Sequence, residues 1–168
     1  MAKRDPTIRD FLLSEVLRFV KHARIRPGVR RIALIGSLVR DKHDPKDADV
    51  LVTVNDDADL ALLAADGRRL KGRAQSRGKG ADVFLANPSG NYIGRTCQWK
   101  ECCPGIRLAC DARHCGGRPF LHDDLQVVTL DAALIEAPPL ELWPKVVRRF
   151  EIPDDVEAQL VRPIEARL

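Results

Sequence analysis

No apolar stretch in this sequence approaches the ~20 residues that a membrane-spanning helix needs, so the chain is expected to stay off the bilayer. Near the N-terminus, Phe11, Leu12 and Leu13 are interrupted by Ser14, Glu15 and Arg18. That leaves no core for a secretory signal, and a cytoplasmic location is expected. Internal repeats and low-complexity segments are also missing, which argues against a solenoid. Neither sign of charge dominates. The 28 lysines and arginines against 24 aspartates and glutamates leave a net +4, which is compatible with nucleic acid without arguing for it. A chain of 168 residues reads as one domain with a small appendage, and its apolar content supports an ordinary core.

What is present is concentrated in residues 31–54, RIALIGSLVRDKHDPKDADVLVTV. An apolar run from Ile32 to Ile35 ends in Gly36-Ser37, and after nine intervening residues Asp47 and Asp49 bracket Ala48 at the start of a second apolar run. In a strand, residues two apart share a face, so Asp47 and Asp49 are predicted to project together while Ala48 and Val50 face the core. Two adjacent carboxylates repel unless something positive sits between them. Oxygen-only ligands of this kind favour Mg²⁺, which keeps several waters and completes its shell with substrate phosphates. A third acid, Asp82, opens the short apolar run at residues 81–85. If that strand lies beside the first, three carboxylates suit two metal ions clamping a phosphoryl or nucleotidyl transfer. Gly36 allows close backbone approach to a phosphate, and the Ser37 hydroxyl can donate to it. Leu38, Val39 and Arg40 are expected to open a short helix.

Together these residues resemble the nucleotidyltransferase superfamily typified by DNA polymerase beta, and in size the chain is similar to the minimal nucleotidyltransferases. Ile35, Gly36, Ser37, Asp47, Asp49 and Asp82 match that family's pattern, over roughly a third of the chain. The resemblance implies an α/β (α+β) fold, a small mixed sheet flanked by helices. It also implies a reaction: an NMP passes from an NTP (ATP among them) to a hydroxyl, with release of pyrophosphate. Asp47 and Asp49 would hold two Mg²⁺ ions, or Mn²⁺, and Asp82 would complete the second site and help activate the hydroxyl. Gly36 and Ser37 would hold the β and γ phosphates, with Arg40 as a further basic contact. The acceptor is left open between RNA, DNA, a protein hydroxyl and a small molecule. Two alternatives stay beside this reading. One is an antitoxin-like or regulatory module that binds a protein partner encoded nearby. The other is a catalytically inactive nucleotide- or nucleic-acid-binding zinc protein.

The second feature is cysteine. All five fall in CQWKECCPGIRLACDARHC, as Cys97, Cys102, Cys103, Cys110 and Cys115, with His114 alongside. In a reducing compartment stable disulfides are not expected, and such clustering points to metal. Cys97, Cys102, Cys110 and Cys115 form two pairs with four residues between members, enough for a tetrahedral structural Zn²⁺ site, with Cys103 or His114 as possible substitutes. A catalytic cysteine with His114 or His122 as base is a further reading. The expected organisation is a nucleotidyltransferase core at residues 1–90, a cysteine-rich zinc module at 91–122, and a C-terminal strand and extended tail at 123–168 completing the same domain.

Elsewhere, apolar residues at helical spacing predict a helix from Thr7, as N-cap, to about Ala23, ended by Pro27-Gly28. Residues 57–76 read as a helix that Gly67 and Gly72 weaken or split. It carries part of a basic stretch, Arg68, Arg69, Lys71, Arg73, Arg77 and Lys79, which either meets phosphates or forms a solvated face. Residues 87–91 read as a turn cluster, residues 126–130 as a β-rich run, and Asp131 as the cap of a short helix through Ile135. Residues 138–144, with three prolines and Trp143, read as an extended strap. Pro153 and Pro163 limit the tail to short elements.

Overall fold

A computed structural model describes residues 5–97, 118–122, 125 and 128–167. Its elements run α1 (Ile8–Ala23), β1 (Val29–Ile35), a 3₁₀ turn (Ser37–Val39), β2 (Asp47–Val54), α2 (Ala61–Gln75), β3 (Gly80–Ala86) and β4 (Tyr92–Thr96). There follow β5 (Leu121–His122), α3 (Ala132–Glu136), β6 (Leu140–Trp143), β7 (Val147–Arg148), α4 (Asp154–Val156), a π-helical turn (Glu157–Val161) and α5 (Arg162–Arg167). The strands form one seven-stranded sheet in the order β5-β4-β3-β2-β1-β6-β7, giving a mixed α+β architecture. β2 and β3 are parallel and every other pair is antiparallel. A parallel pair cannot be closed by a tight turn, and α2 supplies the crossover.

Strand alternation separates the two faces. Ile32 and Leu34 of β1, Ala48, Val50, Val52 and Val54 of β2, and Ala81, Val83 and Leu85 of β3 pack into the main core with the buried sides of α1, α2 and the C-terminal helical run. The opposite face carries a smaller cluster, Ala33, Ile35, Leu51, Ala86, Tyr92 and Ile135. α1 begins where its sequence predicts: the Thr7 side chain accepts from the Asp10 amide and the Asp10 carboxylate accepts from the Thr7 amide. Its stripe of Leu12, Leu13, Val16, Phe19, Val20 and Ala23 is buried. Truncating one of its leucines to alanine is expected to cost about 2–5 kcal/mol. No described helix is long and apolar enough to cross a membrane.

Several elements differ from the sequence reading. α2 starts at Ala61 rather than near Asp57, where the Asp59 carboxylate accepts from the Ala61 amide. Gly67 does not split it. A Cβ there would lie 2.8 Å from Thr96 Oγ1, so the glycine lets the helix settle on β4. The extended strap at residues 138–144 is part of the sheet, because Leu140–Trp143 pair antiparallel with β1. Val128, Thr129 and Leu130 form no strand, and Leu121–His122 pair with β4 instead. The turn at residues 87–91 leads straight into β4, which extends the same sheet. Pro163 sits inside a helical run, directly after a π turn in which the Arg162 amide donates to the Glu157 carbonyl. The locally wider hydrogen-bond spacing accommodates a residue that has no amide to give. Asp131 caps α3 as predicted, accepting from the Ala133 amide at 2.9 Å.

Candidate active site

The site forms where β1 ends and β2 and β3 begin. Asp47 and Asp49 lie on the face of β2 opposite the fully buried Ala48 and Val50. The parallel register sets Asp82 directly across from Asp49, and the antiparallel register sets Ile35, the last residue before Gly36, on its other side. The topology thus brings together Gly36, Asp47, Asp49 and Asp82, which the sequence keeps far apart.

Two glycines make room for the acid pair. Gly36 turns the chain with φ +78°, a conformation that side chains disfavour. A Cβ there would lie 2.7 Å from Asp49 Oδ2. A Cβ on Gly80 would lie 2.2 Å from Asp47 Oδ1. Each carboxylate therefore rests against bare backbone. Sequence reasoning found Gly36 and missed Gly80. Its signal was its place immediately before the third-acid strand.

Charge is unevenly compensated. Burial raises the Asp49 carboxyl to about 7, with the neighbouring negative charges of Asp47 and Asp82 adding to the effect. Asp82 has cationic neighbours: Arg95 Nη1 lies 3.0 Å and Lys71 Nζ 3.8 Å from its Oδ1. Lys71 was read only as part of a basic stretch, and Arg95 carried no sequence signal of its own.

The residues suit a hard divalent cation in part. Oxygen-only donors, an uncompensated carboxylate and two cradles without a Cβ fit Mg²⁺ at Asp47 and Asp49, an ion that needs only one or two protein carboxylates beside phosphates and water. A closed cage is not formed. Among the described residues no group of three His, Cys, Asp or Glu side chains is placed to hold a metal ion.

Past Gly36 the 3₁₀ turn carries Ser37, partly buried, and leads to Arg40, exposed. The turn forms one wall of a cleft of about 900 Å³, lined also by Leu134, Ile152 and the two-thirds-exposed Phe150. Because Gly36 lines the cleft and also touches Asp49, the cleft and the acid pair are neighbours.

The basic stretch is largely spent on internal partners. Arg69 pairs with Asp66, Arg73 with Glu15, Lys71 with Asp82 and Lys79 with Asp44, while Arg77 lies over the Phe11 ring and Arg68 donates to the Cys97 carbonyl. That arrangement favours a locally neutralised helix face over a polyanion-binding one. Cys97 is buried and disulfide-bonded, contrary to the expectation of no stable disulfide. Cys102, Cys103, Cys110, His114 and Cys115 lie outside the described residues. His122 sits on β5 opposite Arg95. Comparison with known protein families, curated proteins and solved structures finds no match to this chain.

Proposed function

We propose that the chain is a metal-dependent nucleotidyltransferase that moves an NMP from an NTP to a hydroxyl acceptor and releases pyrophosphate. The observation that carries the reading is the packing of the Gly36 turn on Asp49, with Asp47 on the same face and Asp82 in register beside it. Such a site places a phosphate-compatible backbone turn next to Asp47 and Asp49, two carboxylates with no ion-pair partner among the described residues. Asp47 and Asp49 would hold Mg²⁺ or Mn²⁺, which when bound neutralises triphosphate charge and acidifies an acceptor hydroxyl. Gly36 presents bare backbone to the β and γ phosphates, Ser37 donates its hydroxyl, and Arg40 adds an exposed positive charge. Asp82 orients Arg95 and Lys71 at the edge of the acid pair, and a ligand role for it requires those cations to release it.

The test is pyrophosphate release with each of the four NTPs and Mg²⁺, with cell extract as the source of acceptor. The Asp47→Ala, Asp49→Ala double variant serves as control. Release that falls at least about a hundredfold in the double variant supports transfer chemistry. Wild-type protein that neither binds an NTP nor releases pyrophosphate overturns the reading.

A further inference from the structure

Arg9 lies on α1, in a helix whose sequence gives it no special mark, yet only 6% of it is exposed. Its five N–H donors are all used. Nε and Nη2 donate to the two oxygens of Asp155 at 2.7 and 3.1 Å. The other three bonds go to backbone carbonyls of the segment after Gly36-Ser37: Nη2 to Leu38 at 3.0 Å, and Nη1 to Arg40 at 2.8 Å and Lys42 at 2.9 Å. An arginine needed only to pair with Asp155 would leave those donors for water. Here the planar fork spans three alternate peptide units of one loop.

The consequence is geometric. In a trans peptide the carbonyl and the following N–H point in opposite directions. Fixing the carbonyls of Leu38, Arg40 and Lys42 on the guanidinium therefore turns the amides of Val39, Asp41 and His43 away from it. Its other anchors are at its ends: Leu38 and Val39 are buried in the core, the Arg40 amide donates to the Ser37 carbonyl, and Asp44 accepts from Lys79. Residues 41–44 are exposed and carry no helix or strand, and its nearest regular elements are the 3₁₀ turn and β2.

We propose that Arg9, oriented by Asp155, is the positioning residue of the phosphate-binding loop: it sets the backbone of residues 38–42 so that Ser37, Arg40 and the outward amides meet the triphosphate in one fixed arrangement. This rests on the nucleotidyltransferase reading. The substrate feature it serves is the β,γ-phosphate end of an NTP, and Arg9 itself touches no substrate.

A matched pair elsewhere provides the control. Arg26 grips Asp66 with two bonds of 2.8 Å, joins the end of α1 to α2, and makes no hydrogen bond to the loop. The experiment uses the full chain with Mg²⁺ and each of the four NTPs. It measures NTP affinity by calorimetry, melting temperature, and amide exchange over residues 38–43, for wild type, Arg9→Lys, Asp155→Asn and Arg26→Lys. Lysine keeps the charge but cannot span three carbonyls and a carboxylate. The expected result is faster exchange in the loop and NTP affinity reduced by up to about a hundredfold in Arg9→Lys. Asp155→Asn should move the same way by less, and Arg26→Lys should lose melting temperature with its affinity intact. If Arg9→Lys or, should that variant not fold, Asp155→Asn binds NTP as wild type does, the proposal is overturned while the nucleotide site stands. A loss no greater than that of Arg26→Lys overturns it equally. Wild-type protein that binds none of the four NTPs removes both.

Discussion

On one face of β2, Ala48, Val50, Val52 and Val54 are fully buried among apolar neighbours. On the other, Asp47 and Asp49 stand partly buried at the start of the same strand, and Leu51 returns to an apolar cluster two residues later. The first face gains stability from every side chain it hides. The second keeps a carboxylate that burial and like charge push up to about 7. One strand thus holds a stable half and a strained half, and rigidity in the first fixes geometry in the second. The lesson is that the site's cost and its support alternate along the same backbone.

The comparison breaks most completely if charge is moved to the dry face. Val50→Asp buries a carboxylate with no cation at hand, at a cost of several kcal/mol against a total stability of about 5–15 kcal/mol. Circular dichroism should find the variant unfolded, and a native spectrum would contradict the burial described for β2. Next in size is Gly36→Ala. It imposes about 1–3 kcal/mol of strain, because φ +78° with ψ −156° is open essentially to glycine alone, and drives a methyl group against Asp49 Oδ2. Pyrophosphate release should fall up to about a hundredfold while the protein still melts cooperatively.

Removing charge from the wet face sharpens the contrast in the opposite direction. Asp49→Asn should raise the melting temperature of metal-free protein at pH 8, by about 1–2 kcal/mol of stability once solvent screening is allowed for, while abolishing transfer. The sign follows from linkage. A carboxyl whose folded value is raised from 3.8 to about 7 binds more protons in the native state between those limits. Its contribution is fully present below about pH 4 and is lost as pH rises through 7. In metal-free wild type, stability should therefore decline over that window relative to Asp49→Asn. Superimposable pH profiles would show that Asp49 is not under this pressure. Mg²⁺ affinity should climb over the same range, because the ion must displace a proton from Asp49. The smallest expected effect lies outside β2: Thr7→Ala removes half of a capping box and should cost about 1 kcal/mol in a chemical melt.

Features governed by local chemistry were legible in the sequence. The α1 stripe and its Thr7 cap, the alternation that sets Asp47 and Asp49 against Ala48 and Val50, the Gly36 turn and the Asp131 cap each follow from residues within a few positions of one another. What escaped depends on distant partners. Leu140–Trp143 lie between prolines and read locally as an extended strap, and only their pairing with β1 makes them a strand. Gly67 looks like a helix breaker until Thr96 is seen pressed against it. Arg95 and Lys71 gain meaning only beside Asp82, and Arg9 only beside a loop some thirty residues away.

The insertion of β6 against β1 also sets a timetable. During synthesis β1 and β2 leave the ribosome early, but the strand that covers the free edge of β1 follows about 105 residues after Ile35, some 5–20 seconds later at ordinary elongation rates. Through that interval a row of unpaired amides and carbonyls on an apolar strand is open to other chains. A chain stopped before Leu140 would keep that edge exposed permanently. Loss of the last thirty residues should therefore show itself first as aggregation and clearance by proteases, before any question of lost chemistry arises.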